Sequence, residues 1–380
     1  MMKTFLLLFG FFMSNSTTEN QPLSTTPTTT VSKKTVPPDV DSLDIKIGQL
    51  IIFGFYGTAI NENDAVYKAV KNGKVGSILL YGRNLPTQNT AANLTKMIAG
   101  FQQAAPIPLF ISIDQEGGKV NRLRPELGFS NMPSAEWLGK QNNTDTTKKY
   151  ADTIGSTLQR LGINLNYAPV LDVLNPKCPV LGARERCFSA DPAQIAFHAG
   201  ITINSHHTYG VKTVVKHFPG HGNALADSHL GVADVTKTWQ PNELLPYQTL
   251  IESGQVDAVM TAHIVNGQLD ASLLPATLSK KIMTGILREK LGFQGVIFSD
   301  DMQMKAISEQ YSLEESIFKA MEAGVDVLMF SNNIPGVKAY EPENIHSIIR
   351  KLVESGKITE QQIDASFRRV MVLKMKQFGS

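Results

Sequence analysis

Short apolar runs alternate with longer amphipathic stretches from about residue 44 onward. Each run is rich in Val, Ile, Leu and Phe and is nearly continuous, which is typical of strands buried on both faces of a parallel sheet. Eight runs have this character: residues 49–55, 75–81, 108–114, 164–173, 211–217, 257–264, 295–301 and 326–332. The pattern therefore predicts eight parallel strands.

The stretches between these runs have helical spacing, and several begin at capping residues such as Ser279 or Asp191 before Pro192. Eight helices are predicted over residues 87–103, 145–161, 193–209, 242–253, 280–290, 313–323, 343–354 and 360–376. Eight strands alternating with helices predict an α/β fold, a single (β/α)8 barrel of the TIM type. A doubly wound open sheet has the same local pattern and stays open as an alternative.

Polar side chains stand at or near the ends of six of these runs. They are Asp114, Asp172, Lys216 with His217, His263, Asp300 with Asp301, and Ser331 with Asn332. The carboxyl ends of barrel strands share one mouth, where TIM barrels carry their active sites. Side chains far apart in the chain are therefore expected to meet in one pocket.

The first forty residues differ from the rest. Residues 1–15 have one lysine and then an apolar run from Phe5 to Met13, as a secretory signal peptide does. That run is too short for a stable membrane span, which needs ~20 apolar residues. Residues 16–40 are rich in Thr, Ser and Pro and predict a disordered linker before one domain over residues 41–380. We expect export to the periplasm or beyond, with tethering by an uncleaved leader as an open alternative.

Composition narrows the class of partner. The chain has 36 Lys and Arg against 34 Asp and Glu, a net charge of +2. Neither nucleic acid nor an acidic membrane surface is expected as a partner, and a small or neutral substrate is favoured. Cys178 and Cys187 could form a disulfide in an exported protein or remain thiols, and both interpretations stay open.

Residues 216–229 read KHFPGHGNALADSH and concentrate three histidines. His217 and His221 have the i, i+4 spacing of zinc ligands on a helix. Pro219 and Gly220 lie between them and break a helix, so this spacing argument fails. A metal site built on a loop stays conceivable from His217, Asp227 and His229.

The same segment can serve proton transfer. Asp227 and His229 are separated by one residue, so both side chains can point the same way. A carboxylate that accepts from one ring nitrogen fixes the tautomer and raises the basicity of the other nitrogen. Such a histidine can give and take a proton near neutral pH. A solvated surface loop is the alternative interpretation.

Two aspartates end the seventh run. In an extended strand Asp300 and Asp301 face opposite sides. Asp301 could cap a helix beginning at Met302 and is expected to be structural. Asp300 is the better candidate for a carboxylate nucleophile.

Residues 114–124, DQEGGKVNRLR, combine an acid, a Gly117-Gly118 turn and two arginines. Glycine permits a positive φ or a close backbone approach, and Asp114 could accept from ligand hydroxyls. No G-x-G-x-x-G is present, so a dinucleotide site is not indicated. A plain strand–turn–helix junction is the alternative.

Four segments together resemble glycoside hydrolase family 3: DQEGGKVNRL, GARERCFSADP, KHFPGHGNALADSH and VIFSDDMQM. The similarity covers roughly residues 44–376 and is greatest to the β-N-acetylhexosaminidase branch, which removes terminal β-linked N-acetylglucosamine (GlcNAc) from peptidoglycan fragments. The resemblance implies Asp300 as nucleophile, His229 as general acid/base and Asp227 as its partner. The positions implied to hold the non-reducing sugar are Asp114, Arg122, Arg186, Lys216 and His217. It implies no metal and no other cofactor.

The implied activity is an exo-acting, retaining glycosidase that uses a covalent glycosyl-Asp300 intermediate. The expected substrates are GlcNAc-containing saccharides, such as muropeptides and chitooligosaccharides. A β-glucosidase, a phosphorylase and an inactive cell-wall-binding barrel stay open, and no oligomeric state is predicted. Lys119 departs from the family motif, which usually has arginine there and so a bidentate donor.

Overall fold

Eight parallel strands close into a barrel in chain order, and the last strand pairs with the first. The computed structural model describes residues 41–334, 336–337 and 339–378; the segments 1–15 and 16–40 lie outside the described residues. The strands are β1 (Ile51–Gly54), β2 (Ser77–Leu80), β3 (Phe110–Ile113), β4 (Leu165–Asn166), β5 (Lys212–Phe218), β6 (Ala258–Thr261), β7 (Val296–Asp301) and β8 (Val327–Phe330). The predicted (β/α)8 barrel is confirmed, and the open sheet is excluded.

Helices cover the outside of the barrel. They are α1 (Leu43–Gln49), α2 (Ala65–Lys71), α3 (Thr90–Ala104), α4 (Ala135–Gln141), α5 (Thr144–Leu161), α6 (Pro192–Thr208), α7 (Leu245–Glu252), a π-helix (Lys281–Lys290), α8 (Lys305–Ser308), α9 (Leu313–Ala323), α10 (Pro342–Glu354) and α11 (Glu360–Phe378). All eight predicted helices occur within a few residues of their expected bounds. Four short helices were not predicted, α1, α2, α4 and α8, since seven residues or fewer show too little periodicity. Among the described residues, no helix is both long and apolar enough to cross a membrane.

The fourth predicted strand is much shorter than the sequence suggested. Only Leu165 and Asn166 pair with β3 and β5, although the apolar run continues to residue 173. Pro169 interrupts the run, and proline has no N–H to give to a strand ladder. The chain returns to β5 through a bridge between Val170 and Lys216. This path brings Asp172 to the mouth.

A buried lysine closes the opposite, amino-terminal end of the barrel. Lys374 of α11 donates from Nζ to Gln49 Oε1 at 2.7 Å, to Gly76 O at 2.8 Å and to Pro108 O at 2.7 Å. These three acceptors immediately precede β1, β2 and β3. The polar side chains at the carboxyl ends of the strands therefore face the other end, where loops form the mouth.

Candidate active site

A buried network of ion pairs lies at the carboxyl ends of β3 and β5. Lys216 Nζ is 2.7 Å from Asp114 Oδ1 and 2.7 Å from Glu116 Oε1. Arg186 binds Glu116 through two parallel bonds, Nε to Oε2 at 2.9 Å and Nη2 to Oε1 at 2.7 Å. Burial alone would raise the pKa of Glu116, but Arg186 and Lys216 outweigh it and hold that pKa well below its usual range. Glu116 thus stays ionised and fixes both cations.

Arg122 borders the same network. Its Nη2 lies 3.8 Å from Asp114 Oδ2, and its guanidinium carbon lies 5.5 Å from the centre of the Tyr81 ring. Its Nε is buried and has no hydrogen-bond partner among the described residues. Because a guanidinium only donates, this nitrogen is a buried donor without an acceptor in the described part of the chain.

His217 is held in one tautomer. Arg186 Nη2 lies 3.3 Å from His217 Nε2, and since arginine only donates, Nε2 accepts. The proton is therefore on Nδ1, which donates to Asp172 Oδ2 at 2.7 Å. Asp172 also accepts the backbone N–H of His221 at 2.7 Å. The five residues predicted to hold a sugar, Asp114, Arg122, Arg186, Lys216 and His217, thus lie together.

His221 is buried behind His217 and anchors the following loop. Burial and the nearby His217 lower the pKa of His221 to about 4, so the ring is neutral at pH 7. Its Nε2 lies 3.0 Å from Ser228 Oγ, and the N–H of Ala306 donates to the Ser228 carbonyl at 3.4 Å. Ser228 is therefore bound both to the segment after β5 and to α8.

Asp227 and His229 form a pair on either side of Ser228. Asp227 Oδ1 accepts from the backbone N–H of His229 and from His229 Nδ1, both at 2.8 Å. With the proton on Nδ1, Nε2 is the nitrogen that can exchange a proton. The His229 side chain is 52 % exposed and that of Asp227 is 22 % exposed. The geometry is the one expected of a histidine–carboxylate dyad open to a ligand.

Asp300 is the penultimate residue of β7, at the same mouth. Its Oδ1 accepts the N–H of Asp301 at 2.7 Å. Burial would raise the pKa of Asp300, but the imidazoles of His263, His217 and His229 and the Asp301 N–H hold it below its usual value. His217, His229 and His263 therefore lie within electrostatic range of the Asp300 carboxylate. The structure brings together segments that are about 70 residues apart in the chain.

Asp301 points away from the cavity. Its Oδ1 accepts from the N–H groups of Gln303 and Ser331, at 3.1 and 3.2 Å. Burial raises its pKa to about 6. Asp301 is structural, as expected, but the helix predicted to begin at Met302 was wrong, because α8 begins at Lys305. The carboxylate instead ties β7 to the end of β8.

Two residues at the mouth were missed as site residues. Glu116 lies within the DQEGG segment, and its partners Arg186 and Lys216 are 70 and 100 residues away along the chain. Tyr81 ends the second run, where an aromatic residue gives no polar contrast. Burial and the charges of Asp114 and Asp301 raise the pKa of Tyr81 well above its usual value. Its position at a strand end was the available signal.

The structure bears on the two cysteines and on the alternative of a metal site built on a loop. Cys178 and Cys187 are free and buried, and burial raises the pKa of both thiols. Raised pKa values and burial make these thiols poor nucleophiles. Within the described part of the chain, no three His, Cys, Asp or Glu side chains are arranged to hold a metal ion.

Two known β-hexosaminidases are similar to this chain in sequence. The β-hexosaminidase of Tolumonas auensis is 38% identical over 270 residues, which cover 70% of this chain and 78% of that protein. The β-hexosaminidase A of Pseudoalteromonas piscicida is 34% identical, and the match covers 80% of this chain but 53% of that protein.

Two solved structures are similar to this chain in fold. A family 3 β-N-acetylglucosaminidase of Paenibacillus sp. str. FPU-7 has a TM-score of 0.81 at 36% identity, covering 88% of this chain and 62% of that chain. The β-N-acetylhexosaminidase of Beutenbergia cavernae has a TM-score of 0.78 at 29% identity, covering 88% of this chain and 98% of that chain. The model of the glycosyl hydrolase family 3 N-terminal domain matches residues 42–373. The chain is therefore a glycoside hydrolase and belongs to glycosyl hydrolase family 3.

Proposed function

We propose that this enzyme is an exo-acting, retaining β-N-acetylhexosaminidase that removes terminal β-linked GlcNAc. The observation that supports the proposal is the hydrogen-bonded Asp227–His229 pair, whose imidazole interacts electrostatically with the buried Asp300 carboxylate at the end of β7. The names of the similar proteins, β-hexosaminidase and β-N-acetylglucosaminidase, support this specificity over that of a β-glucosidase.

The non-reducing sugar is held by Asp114, Arg122, Arg186, Lys216 and His217. Asp114 supplies carboxylate acceptors, while Arg122 and Lys216 supply donors of fixed position. Paired donors and acceptors of this kind suit vicinal sugar hydroxyls, which both give and take hydrogen bonds. Glu116 acts behind this layer, since it keeps Lys216 and Arg186 in place.

The reaction follows from the states of the two catalytic groups. Asp300 has a lowered pKa and is ionised, so it attacks the anomeric carbon while His229 protonates the departing glycosidic oxygen. The glycosyl–Asp300 ester then reacts with a water molecule that His229 deprotonates, which releases GlcNAc with net retention. Asp227 orients His229 through Nδ1 and stabilises the imidazolium form.

Peptidoglycan fragments and chitooligosaccharides are the substrates we propose, acted on outside the cytoplasm. The signal-like segment at residues 1–15 and the linker at 16–40 motivate the proposed location outside the cytoplasm. Fractionation of cells that express the full chain, or a variant lacking residues 1–15, tests it. Equal activity in the exported fraction for both would contradict it.

Trapping tests the assignment of the nucleophile. A 5-fluoro GlcNAc donor should leave a covalent sugar on the peptide that contains Asp300, as found by mass spectrometry. Label on any other carboxylate would contradict the assignment. Chromogenic β-GlcNAc and β-glucoside substrates, compared at equal concentrations, separate the proposed specificity from that of a β-glucosidase. Addition of phosphate separates hydrolysis from phosphorolysis, since the latter yields GlcNAc 1-phosphate.

Replacement of His229 tests the acid/base. His229→Ala should lower kcat/KM for substrates with poor leaving groups by about 10²- to 10⁴-fold, the range of general acid catalysis, and affect activated aryl glycosides far less. His207→Ala is a matched control, because His207 lies on the outer helix α6 and also pairs with an aspartate, Asp257. Equal losses on both substrate classes would contradict the role of His229.

A further inference from the structure

Tyr56 follows β1 at the mouth and stands largely in solvent. Tyr56 is 62% exposed, which is unusual for an aromatic residue whose hydroxyl group and one ring face both have partners. The phenol OH donates to the carbonyl of Asn332 at 2.8 Å, and the guanidinium of Arg83 covers one ring face, 4.3 Å from the centre. The opposite face of a rigidly held ring is therefore left open.

Arg83 supports this ring and has little capacity left for a ligand. It donates to the carbonyls of Phe55, Asn332 and Ser331, each at 2.9 Å. These bonds use its Nε and both terminal nitrogens, so the charge is turned toward the loops after β1 and β8. The three bonds from Arg83 would join these two loops even without an aromatic ring at position 56. The exposed face of Tyr56 calls for another explanation.

The position of Tyr56 connects it with the reacting centre. Asn332, which accepts from Tyr56, also bonds Gln303 through its side chain at 3.1 Å. Gln303 in turn donates its N–H to Asp301, the neighbour of Asp300. Tyr56 thus stands at the ends of β1 and β8, next to β7, whereas the predicted sugar-holding residues follow β3 and β4 or lie in β5.

We propose that the open face of Tyr56 binds the sugar ring on the leaving-group side of the scissile bond. This inference rests on the proposed function, in which the anomeric carbon meets Asp300 while the far hydroxyls of the first sugar lie toward β3 and β5. The next sugar then extends toward β8 and β1. A pyranose ring presents an apolar C–H face, and a flat, uncharged aromatic face is complementary to it. The ligand class is a neutral pyranose ring, such as the second GlcNAc of a chitooligosaccharide.

The test compares two substrates that share the first sugar. One is the β-1,4-linked disaccharide of GlcNAc, and the other is trifluoroethyl β-GlcNAc, whose small aglycone cannot reach Tyr56. Tyr56→Ala should lower kcat/KM for the disaccharide about tenfold, mainly through KM, which equals about 1.4 kcal/mol of binding free energy. The trifluoroethyl substrate should change by less than about twofold.

Three further variants make the result specific. Tyr56→Phe keeps the ring face and should retain most disaccharide activity, whereas Tyr56→Leu keeps bulk without a flat face and should behave as Tyr56→Ala. Phe197→Ala, which removes an exposed aromatic ring of the outer helix α6, should change neither substrate. Equal losses on both substrates, or no loss on the disaccharide, would overturn the proposal. A wild-type enzyme that cleaves neither substrate would instead overturn the proposed function.

Discussion

Three histidines within fourteen residues have three different states because their surroundings differ. His217 has its tautomer set by Asp172 and Arg186, His221 is buried and neutral, and His229 is exposed and paired with Asp227. The neutral state of His221 matters for the other two. A charged ring at that place would put a positive charge beside His217, whereas the neutral ring bonds the Ser228 hydroxyl without adding that charge. Burial of His221 therefore helps to hold the loop that carries His229.

Ser228 is the residue through which this effect can be measured. Ser228→Ala removes the bond to His221 Nε2 but keeps the backbone bond from Ala306. The loop should then hold His229 less well, so kcat for substrates with poor leaving groups should fall about 3- to 10-fold, the value of one hydrogen bond. KM and the activity on activated aryl glycosides should change little. Steady-state kinetics on both substrate classes check this.

Two variants control for a general loss of stability. Ser228→Thr keeps the hydroxyl and should restore the wild-type rate. Ser316→Ala removes an equally buried serine, since both residues are 2% exposed, but from the outer helix α9. If Ser228→Ala slowed both substrate classes alike, the hydroxyl would have a structural role only.

The sequence indicates single residues of the candidate site more readily than the partners of those residues. Strand ends and the family motif indicated Lys216, His217, Asp227, His229 and Asp300, because each stands at a position with a clear local signal. The dependence of Lys216 on Glu116, or of His217 on Asp172, required knowledge of which segments meet in space. Such pairings are set by the closed sheet and are invisible to any local pattern.

The loop after β5 is braced by a second element, the 3-10 turn Pro241–Leu244 that precedes α7. Glu243 of this turn accepts from Asn223 Nδ2 at 2.9 Å, and Asn223 accepts from Asn175 at 2.9 Å. The chain also passes very close at Gly220, which has a φ of +117° and where a Cβ would lie 2.7 Å from the Glu243 Cβ. Burial raises the pKa of Glu243 to about 7.

This raised pKa predicts a pH dependence of stability. The folded state binds the Glu243 proton more tightly than the unfolded state, so the contribution is complete below about pH 4.5 and is lost as pH rises through about 7. Glu243→Gln cannot ionise and keeps the acceptor for Asn223. Its free energy of unfolding should match that of the wild type near pH 4 and exceed it by up to about 3 kcal/mol at pH 8.

Urea unfolding at several pH values between 4 and 8 measures this difference. Glu252→Gln is the control, because Glu252 is an exposed glutamate of the adjoining helix α7 that pairs with Gln248. Two parallel stability curves for the wild type and Glu243→Gln would contradict the prediction.

Helices and strands were predictable to the extent that they show a period over enough residues. The long helices α5 and α6 were expected within a residue or two, whereas α1, α2, α4 and α8 are too short to be seen. Periodicity also cannot separate the π-helix Lys281–Lys290 from an α-helix, since both place apolar residues on one face. The early end of β4 follows from Pro169, a signal that the apolar run outweighed in the prediction.

Closure of the whole barrel was the assumption on which the expected site depended. It is made by pairs such as Ile51 with Leu328, which join the two ends of the sheet. No local pattern specifies such a pair, so an open sheet stayed possible from sequence. Once the sheet is closed, the predicted convergence of strand ends follows from geometry alone.

Replacement of Lys374 tests how much the amino-terminal end of the barrel contributes to the stability of the whole molecule. It joins the segments before β1, β2 and β3 to α11, and its three acceptors match the three N–H groups of an ammonium, although burial lowers its pKa. Lys374→Met should lower the free energy of unfolding by about 2–4 kcal/mol, because three buried oxygens lose their donor. The kcat at 25 °C should stay near the wild-type value, since the mouth lies at the other end. Lys351→Met, on the exposed face of α10, should lower the free energy of unfolding far less. Urea unfolding measures both variants. A similar loss of stability in both would show that Lys374 has no special role in joining these strands.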